Sequence, residues 1–530
     1  MANAPIPRPH GGVRGANLSR SSVLFGGPFG RMFRALPAAD YGPDDQTSIH
    51  ALTKLAAGML AKHEAPFDGP DPEEGGIPAA YTYFGQFIDH DLTFDPASSL
   101  QKQNDPDALV DYRTPRFDLD NLYGRGPDDQ PYLYADGLRF NLGRPLTGAA
   151  HNPRAQDLPR STPSPTASNP HPNKRAIIGD PRNDENVIVS QLQGLMLRFH
   201  NRMAGLIGDF AETQRAVRWH YQWVVLNDFL PAIIAPAVLA EVLPHLAVGT
   251  DPVTDPPKLK FYHARDEAFM PLEFSAAAYR FGHSMVRPEY QLNETLPKSH
   301  SIFAGDSNHP NLRGFHEFPA QWAIDWRFFV DLEPMDYGDA DNLPDPRNKK
   351  RLQLAYKIDT SLVNPLGHLP SDIAAHPHIL ALRNLERGWR MRLPSGQAVA
   401  RAMGVVPLTD AEIIIGKFTG DPADTVGPIT QFGIVDGVSA FAGNCPLWTY
   451  ILAETVETTM TVATTQGDQA IKTRQLGEVG GRIVAETMVG LLLTDSSSYL
   501  AQNPRWTPDA ALMRNGKFGL AELIAAALND

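Results

Sequence analysis

The sequence has a single cysteine, Cys445, in 530 residues. An intramolecular disulfide is therefore excluded, so packing and bound ligands must hold the fold. The thiol itself is expected to be buried and inert. Long apolar runs are missing too: none reaches the roughly 20 residues a helix needs to cross a bilayer. Positive charge is short, with 47 Lys and Arg against 60 Asp and Glu and a net charge of −13. That disfavours nucleic acid as the main partner, because phosphate binding needs basic patches. Residues 1–10 carry neither the basic start nor the apolar segment of a secretory signal. A cytoplasmic location is the default expectation, with unconventional export left open. No internal repeat appears, and no boundary splits the chain into independent parts.

What the chain does have is proline, 47 residues of it, and 42% hydrophobic residues. The first implies many loops and short helices; the second suffices for a substantial core. The expected fold class is mainly α: one large helical body with long Pro/Gly-rich loops and little sheet. Residues 1–45 are rich in Gly, Pro, Arg and Ser and are read as an extended or partly disordered arm. Residues 46–530 form the functional body. A first helix is predicted over Ser48 to Ala61, with Ile49, Leu52, Leu55, Ala56 and Leu60 on one face.

The stretch Tyr81-Thr-Tyr-Phe-Gly-Gln-Phe-Ile-Asp-His-Asp-Leu-Thr-Phe-Asp95 sets three ionisable groups, Asp89, His90 and Asp91, in an aromatic and aliphatic run. Buried charge is expensive unless it has a partner. On a helix, steps of about 100° send these three side chains in different directions. One cofactor contact, one catalytic group and one structural contact fits that fan.

Further on, Thr114, Asp118 and Asp120 offer oxygen ligands within a few residues, and Pro115 and Gly124 prevent a regular helix. Ca²⁺ takes six to eight such oxygens. An Asx-turn-rich surface loop is the alternative, and adding Asp91 makes the two readings equal. Residues 143–175 read as a long excursion or lid, with His151 and His171 exposed. Arg182 and Glu185 stand at the entrance of a helix over Ser190 to Leu206, whose buried stripe is Leu192, Leu195, Met196, Phe199, Met203 and Leu206. Those two residues, three apart, could simply pair with each other. Thr213 to about Leu243 is predicted largely helical, broken near Pro231 and Pro236.

A second key helix is predicted from Met270 to Pro288. Ala276, Ala277, Ala278 and Gly282 strip it of bulk beside His283 and leave room for something flat. A satisfied core histidine is the plain alternative, and Arg280 one turn away weighs against it. Asn384 and Arg387 lie at i, i+3 on a further helix. Two long amphipathic segments are predicted near residues 445–463 and 478–494.

Two distant histidines, each among apolar neighbours, suit a haem: a proximal one binds iron and a distal group controls the bound oxygen species. Peroxide cleavage needs a neutral base that moves a proton between the two oxygens. It also needs a fixed positive charge near the departing oxygen, which Arg182 could supply. The amide oxygen of Asn384 is the expected partner for the second nitrogen of the proximal histidine.

These motifs, in this order from about residue 50 to 500, resemble the animal haem peroxidase family, and Leu393-Pro-Ser-Gly-Gln-Ala-Val-Ala400 resembles its bacterial branch. The resemblance implies that Gly85-Gln-Phe-Ile-Asp-His-Asp91 carries the distal base, His90. Gln86 becomes a candidate halide contact. It further implies Arg182 as the catalytic arginine, His283 as the haem-iron ligand, Arg280 at a haem propionate, and Asn384 and Arg387 on the proximal side. Asp91 with Thr114, Arg116, Asp118 and Asp120 would hold Ca²⁺. The cofactor would be haem b, with ester links open to Asp89 and Glu185. No sulfonium link is expected, because Asn186 stands where that bond requires methionine. The implied partners are H₂O₂ and small organic donors, halide or thiocyanate. Trp389-Arg-Met-Arg392 departs from the family pattern.

A haem-dependent fatty-acid dioxygenase of the same superfamily is the main rival. It would need a tyrosine three residues before the proximal histidine, where Arg280 stands; Tyr279 is one residue off, about 100° away on a helix. A haem-free adhesion protein is opposed by the joint presence of His90, Arg182 and His283. A hydrolase chelating one ion with residues 89–91 is opposed by the divergence of neighbouring side chains.

Overall fold

The computed structural model describes residues 29–61, 69–94, 113–170, 172–246, 250–264, 268–303, 311–339, 341–342, 344–370, 374, 376–417 and 426–529. Most of the predicted arm, Asp95 and His171 lie outside them. Among the described residues the fold is mainly helical, and the strands pair two by two.

Helix α1 spans Asp45–Gly58. It starts three residues before the predicted Ser48 because the Asp44 side chain accepts the Thr47 N–H at 2.8 Å, satisfying a donor that the first turn leaves open. Helix α2, Ala80–Leu92, carries the three ionisable groups and buries Phe84, Phe87, Ile88 and Leu92 completely. Each such side chain contributes on the order of 2 kcal/mol by leaving water. Helix α3, Val187–Ile207, is capped by Asn186, whose side chain accepts the Ile188 and Val189 N–H groups, and it stops at Gly208, in the left-handed region at φ 81°. Leu192 to Met203 form the expected buried face, but Leu206 is 65% exposed. The last turn of α3 runs past the core.

Helix α4, Phe210–Val224, continues into a π turn, Val225–Phe229, and one more α turn, Leu230–Ile233. Pro231 is tolerated because it sits in the first turn of that last piece. Helix α5, Leu380–Arg390, holds the Asn384 segment, and α6, Glu478–Thr494, is buried over most of its length. The second is a core helix rather than an amphipathic one.

Two predicted elements are absent. Met270 to Pro288 is not one helix: a two-residue strand, the turn Leu272–Ser275 and a 3₁₀ stretch Ala278–His283 replace it. Side chains take the carbonyls that a continuous helix would use. Arg280 Nε donates to the Ser275 carbonyl at 3.0 Å and Trp448 Nε1 to the Arg280 carbonyl at 3.2 Å. Residues 445–463 are not one helix either. A short helix, Leu447–Ala453, gives way to strand Val456–Val462, which pairs antiparallel with Gln469–Gln475. Val456, Thr458, Thr459, Thr461 and Val462 are β-branched and prefer the pleated surface.

Candidate active site

A cavity of ≈ 300 Å³ opens between α2 and the 3₁₀ stretch. Gln86, Asp89 and His90 face it from α2, Glu185 and Asn186 from the entrance of α3, and Arg280 and His283 from the opposite wall. The two histidines that lie 193 positions apart in sequence thus share one space, and Gly282 beside His283 leaves it open.

His90 is buried, and its Nδ1 lies 2.6 Å from Asn183 Oδ1. Asn183 in turn donates its amide N–H to Gln193 Oε1 at 2.8 Å. That second bond fixes which end of the amide faces the ring: the oxygen. Nδ1 must then carry the hydrogen, which leaves Nε2 with a free lone pair. Burial, reinforced by the Arg182 charge, pulls the imidazole down to about 4. At neutral pH His90 is a neutral base with a defined tautomer.

Arg182 stands behind this histidine and does not face the cavity directly. Its Nη2 donates to the carbonyls of His90 at 3.0 Å and Thr93 at 2.7 Å, and to Asp180 Oδ2 at 2.8 Å. Its guanidinium also lies 4.6 Å from the Phe94 ring centre. Burial alone would raise the Asp180 carboxyl, but Arg182 and Arg113 together hold it well below the usual range. Glu185 goes the other way: burial outweighs Arg182 and pushes its carboxyl up to about 7. The Asn186 amide donates to Gln86 Oε1 at 3.2 Å, so the cap of α3 also orients that glutamine.

The opposite wall is wired with reversed polarity. Arg280 Nη1 donates to Asn384 Oδ1 at 3.0 Å, and the Asn384 amide nitrogen lies 2.8 Å from His283 Nδ1. The expectation that the amide oxygen would meet the histidine is corrected here. A guanidinium can only donate, so it claims the single carbonyl oxygen and turns the NH₂ toward the ring. Burial and Arg280 bring His283 down to about 3. Arg383 faces the cavity, whereas Arg387 does not; burial and the charges of Arg387 and Arg383 lower Arg280 to about 10.

On the far side of α2, carboxylate oxygens of Asp91, Asp118 and Asp120 lie within 4.8 Å of one another, all buried. Among the described residues neither Asp91 oxygen makes a close hydrogen bond. Burial and the Asp118 charge push its carboxyl well above the usual range. Thr114 Oγ1 donates to Asp118 Oδ2 at 2.7 Å, and Arg116 joins the loop through its N–H on the Thr114 carbonyl, also at 2.7 Å. Leu119 adopts the left-handed conformation, φ 55°, that brings Asp118 and Asp120 to one side. A hard cation taking several oxygens suits this donor set. Arg113 bridges it to the histidine wall by binding both Asp120 and Asp180.

The pattern of the animal haem peroxidase family matches residues 101–324. Chorion peroxidase of Drosophila melanogaster is 31% identical over 129 residues, 22% of this chain and 15% of that protein. Thyroid peroxidase of Canis lupus familiaris is 28% identical over 195 residues, 32% of this chain and 19% of that protein. Residues 101–324, less than half of the chain, thus carry an animal haem peroxidase domain pattern. The chain spans under a fifth of the length of these two relatives in the matched regions. Peroxidase A from Dictyostelium discoideum has the same fold, with a TM-score of 0.52 at 17% identity over 91% of this chain and 89% of that one.

The residues picked out by motif fall into two places. Gln86, Asp89, His90, Glu185, Arg280 and His283 meet in the cavity, and Asp91, Thr114, Asp118 and Asp120 gather behind it. Arg182, Asn384 and Arg387 stand one layer back. Sequence reasoning missed Asn183, Gln193, Asp180 and Arg383. Asn183 and Asp180 sit beside Arg182 in the same motif and could have been flagged as buried polar neighbours. Gln193 and Arg383 carried no signal above an ordinary helix.

Proposed function

We propose that this protein is an H₂O₂-dependent haem peroxidase that oxidises small organic donors, with halide or thiocyanate as alternative donors near Gln86. The observation that carries this reading is the ordered pair His90–Asn183, which presents a neutral nitrogen base to the cavity opposite His283. The residues fit a haem: histidines on facing walls, with Arg280 and Arg383 in the lining to meet its carboxylates. The haem would supply an iron that stores the two oxidising equivalents of peroxide.

His90 Nε2 takes the proton from the near oxygen of H₂O₂ and returns it to the departing oxygen, which leaves as water. Asn183 and Gln193 keep the acceptor nitrogen pointed into the cavity. Arg182 adds a fixed positive charge that keeps His90 neutral and offsets the charge growing on the leaving oxygen. His283 would hold the iron, with Asn384 beside its Nδ1 and Arg280 in the same lining to meet a haem carboxylate. Asp89 and Glu185, both at the cavity wall, would form the ester links; Asn186 is committed as a helix cap. Ca²⁺ would sit among Asp91, Asp118, Asp120 and Thr114. Fatty-acid dioxygenation is not supported, because the Tyr279 hydroxyl donates to the Gly85 carbonyl at 3.2 Å rather than standing free in the cavity.

An absorption spectrum of protein supplied with haem, before and after H₂O₂, tests the reading. A Soret band that shifts on addition of peroxide is expected. Absence of the band, or a band indifferent to peroxide, overturns it. Acid-acetone extraction after peroxide treatment should leave haem on the protein; complete release would remove the ester links.

A further inference from the structure

Among the described residues three tyrosines face the cavity: Tyr81, Tyr83 and Tyr279. A phenol yields an electron readily at neutral pH only if its proton has somewhere to go, because the oxidised phenol is a strong acid. Their surroundings differ on this point. The Tyr279 hydroxyl donates to a backbone carbonyl, which cannot accept a proton outright. Tyr83 faces Tyr290, another phenol. Tyr81 alone donates to a carboxylate, Asp228 Oδ2, at 2.7 Å.

Asp228 belongs to the π turn Val225–Phe229, and Phe229 of the same turn faces the cavity. Such turns are rare and frequent at functional sites. The same Asp228 oxygen accepts the Leu520 N–H at 2.7 Å, so a second donor holds the carboxylate in place. Burial raises its carboxyl above the usual range, which strengthens it as a proton acceptor.

We propose that Tyr81 is a redox-active residue of this cavity, paired with Asp228 as its proton acceptor. This rests on the peroxidase reading, since the oxidant is the prosthetic group after H₂O₂ has removed two electrons from it. Tyr81 gives that group one electron while its O–H bond breaks and the proton passes to Asp228 Oδ2. A neutral phenoxyl radical remains. A donor of the phenol or aromatic-amine class then returns a hydrogen atom to the Tyr81 oxygen. Asp228 releases its proton toward the water formed from peroxide, and a second donor molecule supplies the remaining electron and proton. The net change is one H₂O₂ to two H₂O and two donors each losing one hydrogen atom.

Freeze-quench electron paramagnetic resonance on the haem-loaded full chain after H₂O₂ tests this. A tyrosyl signal that narrows with ring-deuterated tyrosine is expected. Tyr81→Phe should lose it, and Tyr279→Phe should keep it. Asp228→Asn keeps a carbonyl oxygen for the Leu520 N–H but cannot take the proton. It should slow radical formation by about 100-fold, the lower end of what a positioned base contributes. It should also abolish the solvent deuterium effect on that step. An unchanged signal in Tyr81→Phe, or an unchanged rate in Asp228→Asn, overturns the proposal; the second holds even if the first variant misfolds. A protein that binds haem and reacts with peroxide but shows no tyrosyl signal refutes this inference alone. One that takes no haem refutes both.

Discussion

The two walls of the cavity use the same parts with opposite polarity. Each presents a histidine whose Nδ1 meets an asparagine amide. On the α2 wall, Gln193 takes the N–H of Asn183, so the amide shows its oxygen to His90. On the other wall, Arg280 takes the oxygen of Asn384, so the amide shows its nitrogen to His283. His90 is therefore ready as a base at Nε2, whereas His283 has its hydrogen on Nε2. The lesson is that an asparagine beside a histidine does not set the tautomer; the group on the amide's other end does.

The strongest way to break this contrast is to remove each histidine. His90→Ala should keep haem but slow the reaction with peroxide by about 10⁴-fold, the upper range for a lost acid–base group. His283→Ala should instead change or lose the haem absorption band itself. Stopped-flow absorption separates the two. A His90→Ala protein that reacts at the normal rate would end the distinction between the walls.

The cation reading ranks next, because Arg113 ties the Asp91–Asp118–Asp120 cluster to the His90 wall. Ca²⁺ at about 100 times its dissociation constant should stabilise the fold by about 2.7 kcal/mol. For a chain of this length that is about 2 °C in melting temperature. Calorimetry with calcium and with a chelator measures it. Asp91→Asn should remove the difference, and a difference that survives in that variant would move the site elsewhere.

A smaller effect belongs to the asparagines. Asn183→Ala frees the His90 ring to adopt either tautomer and should slow the peroxide reaction by about 10- to 100-fold. Asn384→Ala should leave that step nearly unchanged and alter the haem spectrum. Equal effects of both on the peroxide reaction would erase the contrast.

How much of this could be read from the chain varies between the walls for a physical reason. The α2 wall was legible because apolar residues at helical spacing enclose Asp89, His90 and Asp91, and regular geometry fans them apart. His283 was found, but its setting was not. Ala276, Ala277 and Ala278 favour a helix, yet Arg280 and Trp448 take backbone carbonyls that a helix would need. The Trp448 contact joins residues 168 apart in sequence, so no local propensity records it. Gln193 reads as an ordinary helix residue until Asn183, 10 positions earlier, donates to it. The β-branched run Val456–Val462 is different: its signal was present and the helical period was preferred over it.

The smallest expected effect is an absence of change with pH, and it tests His90 most directly. An unfolded imidazole takes its proton near pH 6.5. In the folded protein burial and Arg182 hold His90 down to about 4. A neutral base is required, so the rate constant with peroxide should stay flat from pH 8 to about pH 5 and fall only as pH approaches 4. An ordinary histidine would already lose rate below pH 6.5. The stability change has a definite sign as well. Above pH 6.5 neither state binds the proton and His90 contributes no slope. Between 6.5 and 4 the unfolded state binds it and the folded state does not, so stability is lost as pH falls through that window. Arg182→Gln should raise the folded value and move the fall in rate toward neutral pH. If the midpoint in the unaltered protein lies near 6.5, or does not move in Arg182→Gln, then the distal wall is not the preorganised one and the contrast fails.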